Sequence, residues 1–176
     1  DTLDYSGGGL NSGSKVVFAA VGPAKRKLLS EVPSSVVSHA GAGEMRICLP
    51  GVLAVWAPKH LSFENEQDSF AESFAAQIEN SNWPEGIPLV VLVDDASFTA
   101  RSLNNFLWVT FTRSNPAADI HGAKASVRDK HWGCQSPLII DARIKSHHAP
   151  SLEVDPQTAK RVDALAASGG EISKYL

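Results

Sequence analysis

The feature that most constrains the fold is an uninterrupted apolar segment followed by two aspartates. Residues 89–93 read Leu-Val-Val-Leu-Val, between Pro88 and the pair Asp94 and Asp95. A valine-rich run of this length, without polar alternation, is typical of a strand covered on both faces in an α/β sheet. The segment therefore predicts a central strand, with the two acids where the chain leaves the core.

A helix is predicted after the loop that follows these acids. Its apolar positions, at helical spacing, are Leu103, Phe106, Leu107, Thr110 and Phe111. Ser102 or Thr99 can accept hydrogen bonds from its first free amides, Arg113 complements its C-terminal end, and Pro116 prevents its continuation. The unit is thus a buried strand, two acids, a turn and a helix whose last turn carries an arginine.

Two interpretations of Asp94 and Asp95 remain open on the sequence alone. Ligands of open α/β sheets gather outside the carboxyl ends of the strands, which makes both aspartates candidate site residues. Solvated aspartates at a strand end also commonly cap the next element, which gives them a purely structural role.

The remaining segments predict an α/β fold with a mixed, largely parallel sheet flanked by helices. The predicted strands are Lys15–Val21, Met45–Leu49, Leu53–Trp56 and Pro137–Asp141, with Pro50-Gly51 as the turn of a hairpin. The predicted helices are a short basic one at Ala24–Leu29, one carrying Phe70, Phe74 and Ile78, and one opening at Asp155-Pro156 and ending at Gly169. Residues 117–130 show no clear period and predict a long ordered loop.

Composition narrows the classes of protein. With 176 residues, 43% hydrophobic content and a net charge of -3, the chain can bury one sizeable core. The short basic stretch Lys25–Lys27 does not suggest a nucleic-acid surface, and no apolar run approaches the about 20 residues that span a bilayer. Cys48 and Cys134 lack metal-ligand spacing, so we expect two reduced thiols in a cytoplasmic protein, with a disulfide as the alternative that the sequence leaves open. His147 and His148 are adjacent and have no partner acids at ligand spacing, so we expect no metal site.

A dense group of chemically active side chains occupies residues 126–134. It brings together Arg128, Lys130, His131, Trp132 and Cys134. These side chains suit a pocket for an aromatic anion, through stacking on the indole and charge from the cations. They equally suit a surface segment in which the indole anchors to the core and the charges face water.

Several segments of the chain resemble the C-terminal domain of the UbiD-type decarboxylases, which use prenylated FMN. The resemblance lies in Val91-Leu92-Val93-Asp94-Asp95, then Leu107-Trp108, Thr112-Arg113 and Asn115 to Ile120, and in Ile140-Asp141-Ala142. The sequence from Lys130 to Cys134 most resembles the branch of the family that acts on phenol-like and polycyclic aromatic acids. The family often has a third acid shortly after the pair, where this chain has Ser97 and Phe98.

The resemblance implies a domain organisation. Residues 1–14 resemble the connector from an N-terminal flavin domain, residues 15–168 form the α/β C-terminal domain, and residues 169–176 form a tail or docking helix. The family's catalytic residues, its divalent metal, its monovalent cation and its prenylated FMN belong to that N-terminal domain. We therefore expect the isolated piece to bind no cofactor and to be inactive, with no catalytic residue of its own.

The resemblance also implies partners and a pocket wall. The flavin domain, further copies of the chain and a small aromatic carboxylic acid are the expected partners, with no nucleic acid or membrane. The resemblance assigns substrate contact to Lys130, His131 and Trp132, and the reaction is reversible decarboxylation. The alternative from another class is a free-standing α/β module that forms an oligomer and binds no cofactor.

Overall fold

The computed structural model describes residues 17, 21–36, 41–61, 68–148 and 154–175. The predicted connector and most of the strand predicted at Lys15–Val21 lie outside these residues. The chain divides into two compact units, residues 1–146 and 147–176. The last helix belongs to the second unit, whereas the sequence grouped it with the α/β domain.

The first unit is built on one five-stranded sheet. Its strands are β1 (Met45–Leu49), β2 (Val52–Trp56), β3 (Leu89–Val93), β4 (Ile120–Arg128) and β5 (His131–Asp141). They lie in the order β1-β2-β3-β5-β4, with parallel pairing between β2 and β3 and between β3 and β5. Each edge strand is antiparallel to its neighbour. The predicted mixed α/β sheet is confirmed, with the parallel part at its centre.

Helices form both layers around this sheet. They are α1 (Phe70–Glu79), α2 (Ala96–Ala100) and α3 (Leu103–Arg113), and the second unit contains α4 (Pro156–Ala166). Short 3-10 turns lie at Ser34–Val36 and Ser173–Tyr175. The helices predicted around Phe74, after Ser102 and after Asp155 are confirmed, and Asp155 caps α4 as predicted.

The central strand β3 is buried on both faces because successive side chains point to opposite sides. Val90 and Leu92 pack in one cluster with Phe74 and Ile78 of α1. Val91 and Val93 pack in a second cluster with Phe106 and Val109 of α3. Two helices therefore cover the sheet from opposite faces, which explains why the sequence of β3 shows no polar alternation.

The helix predicted at Ala24–Leu29 is wrong. This segment has no helical turn, and its backbone is used elsewhere: the amide of Leu29 donates to the carbonyl of Gly86 at 3.0 Å, and its carbonyl accepts from Gly51 at 2.9 Å. An extended segment that crosses the Pro50-Gly51 turn satisfies these groups better than a six-residue helix, since isolated short helices are marginal in water.

The loop predicted at residues 117–130 is also wrong in most of its length. It contains β4, and β5 begins at His131 rather than at the predicted Pro137. The strand pattern is hidden by two register shifts around Ala123, by the positive φ of Lys124 and by Pro137 within β5. The hairpin turn is also atypical in sequence, because Asp129 and Lys130 adopt φ values of 50° and 66° where Asn-Gly is usual.

The connection after Asp95 contains the additional helix α2, which the sequence did not predict. Asp95 caps it, with its carboxylate accepting from the amide of Phe98 at 2.8 Å. Ser102 caps α3 as predicted, by accepting from Asn105 at 3.1 Å. Thr99, the other candidate cap, lies inside α2 and donates its hydroxyl to the carbonyl of Asp95 at 2.7 Å.

Candidate functional site at the carboxyl ends of the central strands

The carboxyl ends of β3 and β5 lie side by side, because Leu92 is the register partner of Asp141. Asp94 follows β3 directly and Asp141 ends β5. This edge of the sheet is where α/β proteins most often place their sites. It carries a group of charged side chains, several of them buried, and we call this group the ionic network: Asp68, Asp94, Arg113, Asp119, Asp141, Arg143 and Lys145.

Asp94 joins three segments of the chain. Its Oδ2 lies 3.2 Å from Nη1 of Arg113, at the end of α3, and also accepts from the backbone amide of Ile144 at 2.8 Å. Asp95 is engaged in capping α2. Asp95 therefore has the capping role, whereas Asp94 caps no helix of the described residues and instead joins Arg113 and the amide of Ile144.

Arg143 is the centre of the ionic network. Its side chain is fully buried and forms a two-point contact with Asp141, through Nε to Oδ1 at 2.9 Å and Nη2 to Oδ2 at 2.6 Å. Nη2 also donates to Oδ1 of Asp68 at 2.7 Å, and Nη1 donates to the carbonyl of Pro58 at 2.9 Å. Planar guanidinium geometry suits such paired contacts. One arginine thus ties β5 to the segment that enters α1.

The electrostatic consequence is that this cluster stays ionised. Burial raises the pKa of Asp68, but hydrogen bonds from Arg143 and from the amides of Leu61 and Phe70 outweigh it and hold the pKa at about 2. Burial likewise raises the pKa of Asp141, but hydrogen bonds from Arg143 and the charges of Lys145 and Arg143 outweigh it, so that the pKa is lowered. The same two carboxylates raise the pKa of Arg143 against the opposing effect of burial.

Lys145 is a second buried cation beside this cluster. Its Nζ lies 3.1 Å from Oδ2 of Asp119 and donates to the backbone carbonyls of Arg113 at 3.1 Å and Asp141 at 2.9 Å. Asp119 in turn accepts from the amide of Asn115 at 2.6 Å. Since the ammonium group has three protons, these partners occupy them.

One group of side chains within the described residues has the spacing of a metal site. A ligand atom from each of His60, Asp68 and Asp141 lies within 4.8 Å of the others. The guanidinium of Arg143 already bridges the two carboxylates, however, so a cation of the protein itself neutralises them. The arrangement fits an internal ion pair rather than a divalent metal.

The predicted substrate residues lie at the opposite end of β5. Lys130 is the second residue of the hairpin turn, and His131 and Trp132 open the strand that ends at Asp141. Ten residue steps of strand span about 30 Å. The structure therefore does not bring Lys130, His131 and Trp132 together with the ionic network, but places them on an exposed hairpin beyond the amino end of β3.

Trp132 lines a shallow cleft of about 250 Å³ between α1 and β4. The indole is 45% exposed, and the cleft also contains Glu72, Glu79 and His121. Nδ1 of His121 lies 3.7 Å from Oε1 of Glu72. The carboxylates of Glu72 and Glu79 disfavour the binding of an anion in this cleft. The other face of the hairpin carries Arg128 and His131, which lie opposite each other in the strand register. A ligand carboxylate is therefore better accommodated on that face.

Four members of the ionic network were missed by sequence reasoning: Asp68, Asp119, Arg143 and Lys145. A signal was present in Asp141, Arg143 and Lys145, which alternate with apolar residues directly after a buried strand. Charged residues that alternate with apolar ones at the carboxyl end of an inner strand indicate that their side chains pair with each other. Asp68 lies just before α1, and nothing local predicts its contact with Arg143, 75 residues away.

No family model matches the chain. Proteins of several Chlamydia species do match it. A protein of Chlamydia caviae is 32% identical over 165 residues, and a 4-hydroxybenzoate decarboxylase subunit of Chlamydia pneumoniae is 32% identical over 162 residues. The chain is similar to one part of larger proteins. The alignments cover 92% of this chain but only 26% of each relative, so the chain spans about a quarter of the relatives' length.

Solved structures match more weakly. The vanillic acid decarboxylase of Sedimentibacter hydroxybenzoicus, in its open form, aligns with 66% of this chain and 26% of its own at 17% identity. The TM-score is 0.39, a superposition too loose to establish a shared fold. Among the described residues, no helix is long and apolar enough to cross a membrane.

Proposed function

We propose that this chain is the C-terminal oligomerisation and substrate-wall domain of a UbiD-like, prenylated-flavin-dependent reversible decarboxylase of aromatic acids. The observation that carries the proposal is the 32% identity to a decarboxylase subunit across 92% of the chain. The strand, acids, helix and arginine that resemble the family form one packed unit, since Arg113 at the end of α3 pairs with Asp94 after β3. The isolated domain would be inactive.

The ionic network gives this domain a rigid edge. Arg143 joins β5 to the segment before α1, and Asp94 joins β3 to α3 and to the chain after β5. Buried charged hydrogen bonds of this kind fix geometry more than they add stability. Their proposed role is therefore to hold the sheet, not to contact substrate.

The cofactor would be held outside this domain. The buried cations Arg143 and Lys145 are consumed by internal carboxylates and carbonyls, and the first amides of α2 and α3 are capped by Asp95 and Ser102. These groups are therefore not free to bind a flavin phosphate or its metal ions. Prenylated FMN, a divalent metal and a monovalent cation would belong to the N-terminal flavin domain, and the cofactor would supply the electron sink for decarboxylation there.

The hairpin would supply the substrate wall. Because β4 and β5 extend past the amino end of β3, the residues at their turn can reach a neighbouring domain. Trp132 offers a half-exposed indole for stacking against an aromatic ring, and Lys130, in the turn, offers a cationic donor to a carboxylate. His131 lies on the opposite face of β5 from Trp132, where its imidazole offers a further hydrogen-bond donor. This placement supports a wall contributed to a pocket whose floor lies elsewhere.

The experiment uses the intact decarboxylase and a panel of hydroxylated and polycyclic aromatic acids. Trp132→Ala should raise KM for some acids by about tenfold, which corresponds to a lost stacking contact of about 1.4 kcal/mol. Tyr175→Ala, another exposed aromatic position, is the control and should leave the panel unchanged. Unchanged KM for every acid in Trp132→Ala would remove the wall assignment.

A further inference from the structure

Helix α3 carries large apolar side chains on its outer side as well as on the side that faces the sheet. Phe106, Val109 and Thr110 face the sheet and are buried. Four large apolar side chains on the rest of the helix are exposed, Trp108 to 53% and Phe111 to 44%; the set, which we call the α3 face, is Leu103, Leu107, Trp108 and Phe111. At 100° per residue these four positions fall within a sector of about 140°, which also contains the exposed Asn104.

A surface helix normally carries polar residues opposite its core side. On the outer side of α3, the exposed polar residues Asn104 and Thr112 lie among four large apolar side chains. Single exposed apolar residues are common, but a group of four on one side of a helix marks a binding surface. Within the described residues of the first unit, no element covers the α3 face.

The border of the α3 face has the composition of a protein interface. The ring of Phe98, from α2, lies edge-on to Trp108 with 6.3 Å between centroids. The guanidinium of Arg113 lies 5.1 Å from the centroid of Trp108, and that of Arg101 lies 5.6 Å from Phe98. Tryptophan and arginine dominate the energy of protein interfaces. This rim pre-orders the indole, which lowers the entropy lost on docking.

The length of the relatives indicates what covers the face. The chain aligns along 92% of its length with proteins of which it spans only 26%. About three quarters of each relative is therefore additional polypeptide, and part of it can cover this face. An occupant in the same polypeptide also has an effective concentration in the millimolar range, so a face of modest area suffices.

We propose that the α3 face is the docking surface for the rest of the decarboxylase polypeptide. The docking partner presents an apolar surface bordered by carboxylates, and these carboxylates meet Arg101. The inference rests on the proposed function for the existence of that polypeptide. It assigns the intramolecular contact to α3, on the face of the sheet opposite α1. The hairpin that carries Trp132 would remain available for the substrate.

The test is hydroxyl-radical footprinting of the intact polypeptide over a hundredfold range of protein concentration. Within this domain Trp108 is more exposed than Trp56, at 40%, or Trp132, at 45%. Without docking, Trp108 should therefore react at least as fast as the other two. With docking, its oxidation should fall at least fivefold below that of Trp56 at every concentration.

A pair of charge variants locates the contact. Leu107→Glu should restore the oxidation of Trp108, whereas Val127→Glu, a matched change at an exposed apolar position of the hairpin, should not. Circular dichroism before labelling identifies a variant that fails to fold, and the wild-type rates still decide the question in that case. Fast oxidation of Trp108 in the intact protein would overturn the docking surface.

The remaining outcomes show which partner covers the α3 face and distinguish failure of the docking proposal from failure of the proposed function. Protection of Trp108 that grows with protein concentration would assign the face to a second copy and overturn the intramolecular assignment. Concentration-independent protection in a polypeptide that decarboxylates no acid of the panel would uphold the docking surface, while the proposed function fails.

Discussion

Replacing Arg143 by methionine tests the electrostatic logic of the fold. Methionine matches the length of the arginine stem but leaves Asp68 and Asp141, both nearly fully buried, without their cation. Breaking a buried ion pair from one side costs about 3–5 kcal/mol, because a buried charge is left uncompensated. We expect Arg143→Met to lower the free energy of unfolding at pH 7 by that amount.

The pH dependence gives this prediction its sign. In the wild type, the pKa of Asp68 is lowered to about 2, so its contribution of about 2 kcal/mol is present above pH 4 and is lost as the pH falls towards 2. In Arg143→Met the same burial, together with the repulsion between the two carboxylates, acts without the cation, and we expect it to outweigh the remaining hydrogen bonds and the charge of Lys145 and to raise the carboxyl pKa values above those of the unfolded chain. The variant should therefore gain stability as the pH falls from 7 to 5, where the wild type changes little through these two groups.

Urea unfolding followed by circular dichroism at pH 7, 6 and 5 measures both effects. Arg46→Met is the matched control, since the ion pair of Arg46 with Glu44 is exposed and should contribute less than about 1 kcal/mol. A loss in Arg143→Met no larger than in the control would refute the reasoning. So would a variant whose stability falls as the pH is lowered to 5.

Two further predictions concern local structure. Among the described residues, the buried hydroxyl of Thr110 has no hydrogen-bond partner, so Thr110→Val should raise the free energy of unfolding by about 1 kcal/mol. Thr99→Val should lower it by about as much, because the Thr99 hydroxyl donates to Asp95; the same sign for both variants would contradict this account. Lys130→Gly should raise the melting temperature slightly. Glycine relieves a strain of about 1 kcal/mol that the left-handed backbone of Lys130 causes in the folded state, and this gain exceeds the stabilisation of the unfolded chain by the greater flexibility of glycine. A lower melting temperature would show that Lys130 makes a stabilising contact in the folded protein.

The elements that could be predicted are those whose burial is uniform along the segment. Strand β3 is covered on both sides, so its uninterrupted apolar composition predicts a buried strand. Helix α1 presents Phe74 and Ile78 to one core cluster, so the helical period of its apolar residues predicts a helix. The β4–β5 hairpin could not be predicted, because its outer half is exposed and its register shifts near Ala123 remove the two-residue period. Exposed strands carry no apolar alternation to detect.

The ionic network could be predicted only in part, for a different reason. Asp94 and Arg113 lie at the ends of a strand and a helix that the sequence places, but Asp68 and Arg143 come from distant segments. Long-range ion pairs depend on the packing of the sheet rather than on local pattern. The hairpin side chains of Lys130, His131 and Trp132 were picked out by residue type, and their contact with substrate stays a prediction.

The most direct test of the proposed function is carbon dioxide release by the intact polypeptide, reconstituted with prenylated FMN, metal and monovalent cation, from each aromatic acid of the panel. The account predicts release from at least one phenolic or polycyclic acid with prenylated FMN and none with unmodified FMN. No release from any acid with the prenylated cofactor, in a protein shown to bind it, would contradict the account.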